Sequence, residues 1–252
     1  MAAYYDARFR NAADFTFFFV GAFTVEALAP LVETYLASLP SAGRAQSQAG
    51  PLRLQFPAAI ARETVRKGQE PSSQTAITFF SDTGLDEFES HRLRAATSVL
   101  QMRLRDVLRE ELSGTYSVSV SYADTTPLAG YGTTTVQFGS SPENAERLAG
   151  VVFSELDRLR REGPSETDVQ AVKESEKREL ETALRQNGYW LNSLQASHML
   201  GRDPRRILQR LERAESLTRD NIHDAVRRYF PTDRYTVVTL MPETAAAPVA
   251  VR

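Results

Sequence analysis

Two periodicities divide the middle of the chain into a long helix followed by a pair of strands. Apolar side chains recur every three or four residues from about Asp86 to Leu112, which predicts an amphipathic helix. The predicted stripe consists of Leu93, Ala96, Leu100, Leu104, Val107 and Leu112. Strict alternation from Thr115 to Tyr122 predicts a half-buried strand, and the β-branched segment from Tyr131 to Phe138 predicts its hairpin partner. Gly114 is suited to ending the helix before the first strand.

The rest of the chain mixes further helices with short strands. Strands are predicted over residues 14–20, 61–67, 74–80 and 235–240. Helices are predicted over 24–38, 141–161, 190–201, 204–214 and 218–229, and another begins with a cap formed by Ser165 and Asp168. This mixture indicates the α+β class, as a two-layer sandwich with a mixed or antiparallel sheet of about six strands and helices packed on one face.

Composition shifts along the chain suggest how it is organised. We expect residues 14–242 to form a single domain, in which the small, polar segment 41–51 is a surface loop. Residues 1–13 are interpreted as the remnant of a preceding segment. Residues 243–252 are interpreted as a frayed tail.

Composition also narrows the possible chemistry. The net charge of −2 over 252 residues offers no general attraction for nucleic acid, and no run approaches the roughly 20 apolar residues that membrane insertion needs. The sequence has no cysteine, which excludes disulfides, thiolate metal sites and a cysteine nucleophile. Its three histidines, His91, His198 and His223, are far apart and form no H-x-x-E-H or H-E-x-x-H, so no metal site is expected in this chain. The sequence contains no glycine-rich phosphate-binding motif, so it does not indicate a nucleotide cofactor.

One pair of side chains is a candidate site. Arg109 falls in the last turn of the long predicted helix, and Tyr116 falls near the start of the strand that follows. A helix that reverses into a strand can bring these two side chains together at the same edge of the sheet. A guanidinium and a phenol together offer several hydrogen-bond donors without negative charge, which suits binding of peptide carbonyls or of the oxyanion formed when a carbonyl is attacked. The alternative is structural: an arginine favoured by the helix dipole beside a tyrosine that covers the core.

The segment Arg109–Val118, with the sequence REELSGTYSV, resembles the R-x6-Y segment of the pitrilysin/insulinase metallopeptidases, in the half of those enzymes that lacks zinc. The resemblance extends from Phe15 to about Pro242. Other similar segments, in the same order along the chain, are Asp14–Phe23, Gln69–Thr75, Asn187–Leu194 and Thr218–Phe230. Asn187–Leu194 is similar to a stretch found in the bacterial branch of fused, two-half enzymes.

This resemblance implies a fold and a function. The fold would be that of the mitochondrial processing peptidase-like metallohydrolases, in which two similar halves close around the active site. Arg109 and Tyr116 would be the catalytic pair that binds the substrate backbone and stabilises the oxyanion. Zinc would lie in the complementary half, on the same chain or on a separate subunit, so this chain would hold no cofactor and would cleave nothing alone. Peptides would be its substrates and would add to a sheet edge, and the periplasm or cell envelope its location, with the cytoplasm as alternative.

Two other interpretations stay open. The chain could be a non-catalytic assembly or interaction subunit of the same fold, or an unrelated α+β binding domain. The presence of both Arg109 and Tyr116 at the required spacing favours the peptidase interpretation.

Overall fold

A computed structural model of the chain describes residues 1–42, 55–81, 86–112, 117–124 and 131–243. Within these ranges the strands are β1 (Ala61–Arg66), β2 (Ser73–Ser81), β3 (Val118–Asp124), β4 (Gly132–Ser140) and β5 (Thr236–Met241). The α-helices are α1 (Ala2–Phe9), α2 (Val25–Tyr35), α3 (Glu87–Leu112), α4 (Ala145–Glu162), α5 (Glu166–Ala183), α6 (Asn187–Met199), α7 (Arg210–Glu215) and α8 (Arg219–Tyr229). Short 3-10 helices lie at Ala12–Asp14, Pro142–Asn144 and Pro204–Gln209.

The strands form one mixed sheet in the order β1-β5-β2-β4-β3. β1 runs parallel to β5, and the other neighbouring pairs are antiparallel. β3 and β4 form the predicted hairpin, with Val120 opposite Val136. Among the described strands, β1 and β3 therefore lie at the two edges of the sheet.

Alternation along the central strands places the core on one face of the sheet. In β2 and β4 every second residue is buried, and Ile77, Phe79, Val136 and Phe138 are at most 2% exposed. Helices α3, α4 and α8 pack against one another, α3 packs against β3, and α4 and α8 pack against β2. The fold class is confirmed: an α+β arrangement of helices on a mixed sheet.

The long helix meets this core through the stripe that its periodicity predicts. Leu93, Ala96, Leu100 and Leu104 are fully buried. Burying a leucine side chain contributes about 1.5–3 kcal/mol, so this stripe accounts for much of the attachment of α3 to the domain. α3 begins at Glu87 with Asp86 as its cap, since the Asp86 carboxylate accepts the Glu89 N–H at 2.8 Å.

The predicted cap of α5 is also confirmed. The Ser165 hydroxyl accepts the Asp168 N–H at 3.1 Å, and the Asp168 carboxylate accepts the Ser165 N–H at 2.8 Å. This reciprocal pair satisfies two N–H groups that would otherwise lack partners at the start of the helix. Thr218 and Asn221 form the equivalent pair at the start of α8.

One predicted strand is wrong. Residues 14–20 pair with no strand among the described residues, which form five strands rather than about six. The Phe15 N–H closes the 3-10 turn on the Ala12 carbonyl, and Phe17 and Phe19 are each 45% exposed. An apolar run indicates burial, but a strand also needs a neighbour for its backbone groups, and the run itself carries no information about that neighbour.

The chain divides into two compact units. The smaller contains residues 1–53 and 181–204, with helices α1, α2 and α6. The larger contains residues 54–180 and 205–252, with the sheet and helices α3, α4, α7 and α8; the division falls within the last turn of α5. The interpretation of residues 14–242 as one domain, flanked by a remnant and a tail, stays a prediction.

Candidate functional site

The candidate pair lies at the connection between α3 and β3. Arg109 falls in the last turn of α3, as predicted, but its side chain is outside the described part of the structure. Tyr116 and the predicted helix stop at Gly114 fall within residues 113–116, which are also outside it. The convergence of the two side chains therefore stays a prediction. The structure describes the parts of α3 and β3 that flank them.

One side chain from the middle of α3, Gln101, contacts the start of β3. Its amide nitrogen donates to the Val118 carbonyl at 3.0 Å, and its amide oxygen accepts the Val120 N–H at 2.5 Å. Further along the same two elements, the Arg94 guanidinium lies over the Tyr122 ring, 4.9 Å from its centroid. Such stacking is attractive because the ring face is electronegative. Gln101 could not be predicted from the sequence, because nothing in a helical periodicity indicates which strand a single glutamine faces.

A second connection ties α3 to the corner between α4 and α5. Arg103 donates to Asp168 at 2.8 Å, to Glu155 at 3.2 Å and to the Gly163 carbonyl at 3.4 Å. The side chains of Arg103 and Glu155 are only 14% and 6% exposed. The group therefore joins three helices through largely desolvated charges.

The pKa values reflect this environment. Burial disfavours the charge on Asp168, but hydrogen bonds from Arg103 and Ser165 outweigh it and hold the pKa of the carboxyl below its ordinary value. Burial likewise disfavours the charge on Arg103, and the hydrogen bonds and negative charges of Asp168 and Glu155 outweigh it, so its pKa is raised. Both groups are charged at neutral pH, and their role is to hold helices together.

The N-terminal end of α3 is tied to α8 by a similar cluster. Glu89 accepts hydrogen bonds from Tyr229 at 2.8 Å, from Arg228 at 2.9 Å and from Arg92 at 2.7 Å. Burial, together with the hydrogen bond to Glu89, raises the pKa of Tyr229 to about 12. Tyr229 is thus a fixed donor, and α3 is held at several points along its length.

The three histidines are each engaged by a different neighbour. His91 lies 2.9 Å from Glu176, His198 lies 3.0 Å from the Thr16 hydroxyl, and His223 lies 2.8 Å from the Arg160 carbonyl. Among the described residues no group of three or more His, Asp or Glu side chains is arranged to hold a metal ion. The described part of this chain therefore does not fit a zinc site.

The edge of the sheet opposite β3 is strand β1, and every residue of it is exposed. The Ala61 N–H donates to the Tyr235 carbonyl and the Lys67 N–H to the Met241 carbonyl, so the odd-numbered residues face β5. Because successive residues of a strand point their backbone groups to opposite sides, those of Arg62, Thr64 and Arg66 point outward. At β3, Gln101 occupies the Val118 carbonyl and the Val120 N–H.

In the described part of the chain, no helix is both long and apolar enough to cross a membrane.

Most of the chain matches a known family of protein domains. The sequence profile of the peptidase M16 inactive domain matches residues 1–176, which include Arg109, Tyr116 and Gln101. A zinc protease PQQL-like protein of Arabidopsis thaliana is 27% identical over 266 residues, covering 95% of this chain and 28% of the relative. The probable zinc protease PqqL of Escherichia coli strain K12 is 27% identical over 237 residues, covering 92% of this chain and 25% of the relative.

A solved structure agrees with the fold. The crystal structure of the periplasmic protease PqqL from Escherichia coli superposes with a TM-score of 0.72 at 23% identity, covering 88% of this chain and 24% of that one. At this level of identity the likeness establishes the fold. The chain spans about a quarter of the length of the curated relatives it matches.

Proposed function

The chain belongs to the family of the peptidase M16 inactive domain, and from this premise we propose that it is the zinc-free, substrate-binding domain of a longer zinc metallopeptidase. The observation that carries the proposal is the family match over residues 1–176, which spans the R-x6-Y segment. The names of the two curated relatives, both zinc proteases, support it.

In this proposal Arg109 and Tyr116 bind the peptide backbone and stabilise the oxyanion. When a peptide carbonyl is attacked, its oxygen gains negative charge, and donors already aimed at that oxygen stabilise the transition state more than the ground state. Arginine remains charged at any physiological pH, and the tyrosine hydroxyl is a neutral donor. The firm attachment of α3 at Gln101, Arg103 and Glu89 supports this role, since donors of this kind act best on a rigid frame.

The metal would be supplied by a partner. Since the described residues do not fit a zinc site, we assign zinc to a complementary, H-x-x-E-H-bearing half, on the same polypeptide or on a separate subunit. That half, and peptide substrates, are the proposed partners. When bound there, zinc would supply the polarised water for hydrolysis, while this chain contributes donors and a binding surface.

Peptide binding is proposed to use the β1 edge. An extended peptide that adds to a sheet edge is held mainly by backbone hydrogen bonds, so recognition tolerates many side chains. The outward groups of Arg62, Thr64 and Arg66 offer such bonds, whereas the Val118 carbonyl and the Val120 N–H of β3 are already used by Gln101.

The proposed location is the periplasm or the cell envelope. It rests on the similarity to PqqL of Escherichia coli, which is a periplasmic protease. Fractionation of cells that produce the complete protein tests it, and recovery in the cytoplasmic fraction alone would contradict it.

Peptide hydrolysis by the complete protein tests the proposed roles. Tyr116→Phe and Arg109→Ala should each lower kcat by roughly 10- to 1000-fold, as is typical when one oxyanion donor is lost. Arg105→Ala, one helical turn earlier on α3 and exposed, and Tyr35→Phe, exposed on α2, are the matched controls and should retain wild-type rates.

The outcome separates the two functions that this fold supports. Loss of turnover in both site variants but in neither control supports the catalytic role. Wild-type turnover in both site variants would refute it and favour a non-catalytic assembly role for the chain.

A further inference from the structure

The apolar run that begins at Phe15 has side chains placed as in a β-strand. Thr16 and Phe18 both contact His198, since the Thr16 hydroxyl lies 3.0 Å from a ring nitrogen of the histidine and the Phe18 ring centroid lies 5.5 Å from that of the imidazole. Phe15 and Phe17 contact each other, with their ring centroids 6.1 Å apart. Every second side chain therefore shares a face, as it does along a strand.

The backbone of this run is unpaired among the described residues. The Phe15 N–H closes a turn on the Ala12 carbonyl, but no backbone hydrogen bond joins residues 17–20 to another described residue. Phe17 and Phe19 are each 45% exposed, and none of the described side chains of the smaller unit is buried. The run therefore presents both free backbone groups and apolar side chains, which is what a strand presents before other strands pair with it.

The same sequence pattern occurs in the larger unit, where the chain passes from α8 into β5. In both places an aromatic residue ends a helix, and a second aromatic residue follows six positions later and opens an apolar run. These residues are Phe9 and Phe15 in the smaller unit, and Tyr229 and Tyr235 in the larger one. A threonine follows each second aromatic residue. β5 lies between β1 and β2, so its backbone is paired on both sides.

Corresponding positions of the two segments differ in burial. Tyr229 and Val237 are each 5% exposed, because the helices and the sheet of the larger unit cover them. Phe9 and Phe17, at the same places in the pattern, are 54% and 45% exposed. Phenylalanines at positions whose counterparts lie in a core are expected to be buried as well. In the smaller unit the cover is missing from the described residues.

We propose that Phe15–Val20 forms a central strand of a second sheet, whose neighbouring strands are supplied by the rest of a longer polypeptide. The inference rests on the function proposed above only in that this chain is part of a longer protein, since it spans about a quarter of the length of its curated relatives. The partner is two strand edges with free N–H and carbonyl groups, together with an apolar surface that covers Phe9 and Phe17. The run then belongs to a second domain rather than to the domain of β1–β5.

Hydrogen–deuterium exchange tests this pairing, with mass spectrometry that resolves single amides. In the complete protein the amides of Phe17–Val20 should exchange at least about 100-fold more slowly than unstructured amides. Each successive amide should be protected, because a central strand is paired on both sides. In the isolated chain the same amides should exchange at about the unstructured rate. The amides of Val237–Leu240 in β5 are the control and should be protected in both samples, because their partner strands lie in this chain.

Three exchange results would overturn the inference. The first is rapid exchange of the amides of Phe17–Val20 in the complete protein. The second is protection of every second amide only, which is the pattern of an edge strand. The third is protection in the isolated chain, which would place the partner in this chain or in a second copy of it. None of these results affects the proposed peptidase function, and wild-type turnover in the site variants described above would refute that function without changing the exchange.

Proline variants of the complete protein give the decision if the isolated chain does not fold, which loss of protection in β5 would reveal. A central strand uses the N–H of every residue, and proline has none, so Phe18→Pro and Phe19→Pro should both remove the protection of the neighbouring amides. Phe18→Ala and Phe19→Ala keep the N–H and are the matched controls, in which the protection should remain. Protection that survives proline at either position would overturn the central placement of the strand.

Discussion

Replacing Asp168 with asparagine removes the negative charge that ties α3 to the corner between α4 and α5. Its carboxylate accepts two hydrogen bonds from Arg103, at 2.8 and 3.3 Å, and the cap hydrogen bond from the Ser165 N–H. The Asp168 and Arg103 side chains are only 20% and 14% exposed, so solvent screens their attraction weakly.

The size of the effect follows from these contacts. Asparagine keeps an oxygen that can accept the Ser165 N–H, and Arg103 keeps its ion pair with Glu155 at 3.2 Å. The main loss is therefore the charge-assisted interaction between Asp168 and Arg103. Hydrogen bonds to charged groups contribute about 1.5–3 kcal/mol, and we expect the free energy of unfolding at pH 7 to fall by about that amount. Asp157→Asn, at an exposed position of α4, should change it by less than about 0.5 kcal/mol.

The effect should depend on pH in a defined direction. Because the pKa of Asp168 is lowered in the folded state, its contribution is complete above the unfolded-state pKa of about 3.9 and is lost as the pH falls through the lower folded-state pKa. Urea unfolding followed by far-UV circular dichroism should therefore show a difference between wild type and Asp168→Asn that is constant near neutral pH and shrinks below about pH 4. A difference under about 0.5 kcal/mol at pH 7, or one that does not change on acidification, would refute the reasoning.

Three further predictions concern the metal, the β1 edge and a helix cap. The isolated chain should hold no stoichiometric zinc and cleave no peptide; elemental analysis that finds one tightly bound zinc per chain would contradict the family assignment of roles. Thr64→Pro removes one outward N–H of β1 and should weaken peptide binding to the complete protein about 2- to 10-fold. Thr64→Ala keeps that N–H and should bind peptide as the wild type does. Equal peptide affinities of the two variants would refute peptide addition at this edge. Thr218→Ala removes the hydroxyl that accepts the Asn221 N–H and should lower the free energy of unfolding by about 1 kcal/mol in urea titrations, while Thr218→Ser stays near wild type; no difference between the two would contradict the cap.

The sequence pattern predicted those helices and strands whose formation depends on their own side chains. The stripe of α3 and the alternation of the β3–β4 hairpin follow from which residues must be buried, and the cap of α5 follows from Ser165 and Asp168 three residues apart. The strand predicted at residues 14–20 was wrong because strand formation also depends on a partner elsewhere in the chain.

The candidate site was predictable to a different degree. Arg109 and Tyr116 were identified by the resemblance of their spacing to that of a known family, and both positions lie within the residues that the family profile matches. Gln101 contacts a strand that begins 17 residues later, and no local pattern indicates such a contact. Long-range side-chain contacts of this kind follow from tertiary packing, so they became visible in the structure alone.

We propose that Tyr116 acts on the oxyanion rather than on the fold, and inhibition by a phosphinic peptide distinguishes these two roles. Such a peptide carries a tetrahedral, negatively charged group in place of the scissile carbonyl, so it reports on transition-state binding. In the complete protein, Tyr116→Phe should raise the inhibition constant of this compound by the same factor by which it lowers kcat/KM. A fall in kcat/KM with an unchanged inhibition constant would contradict it.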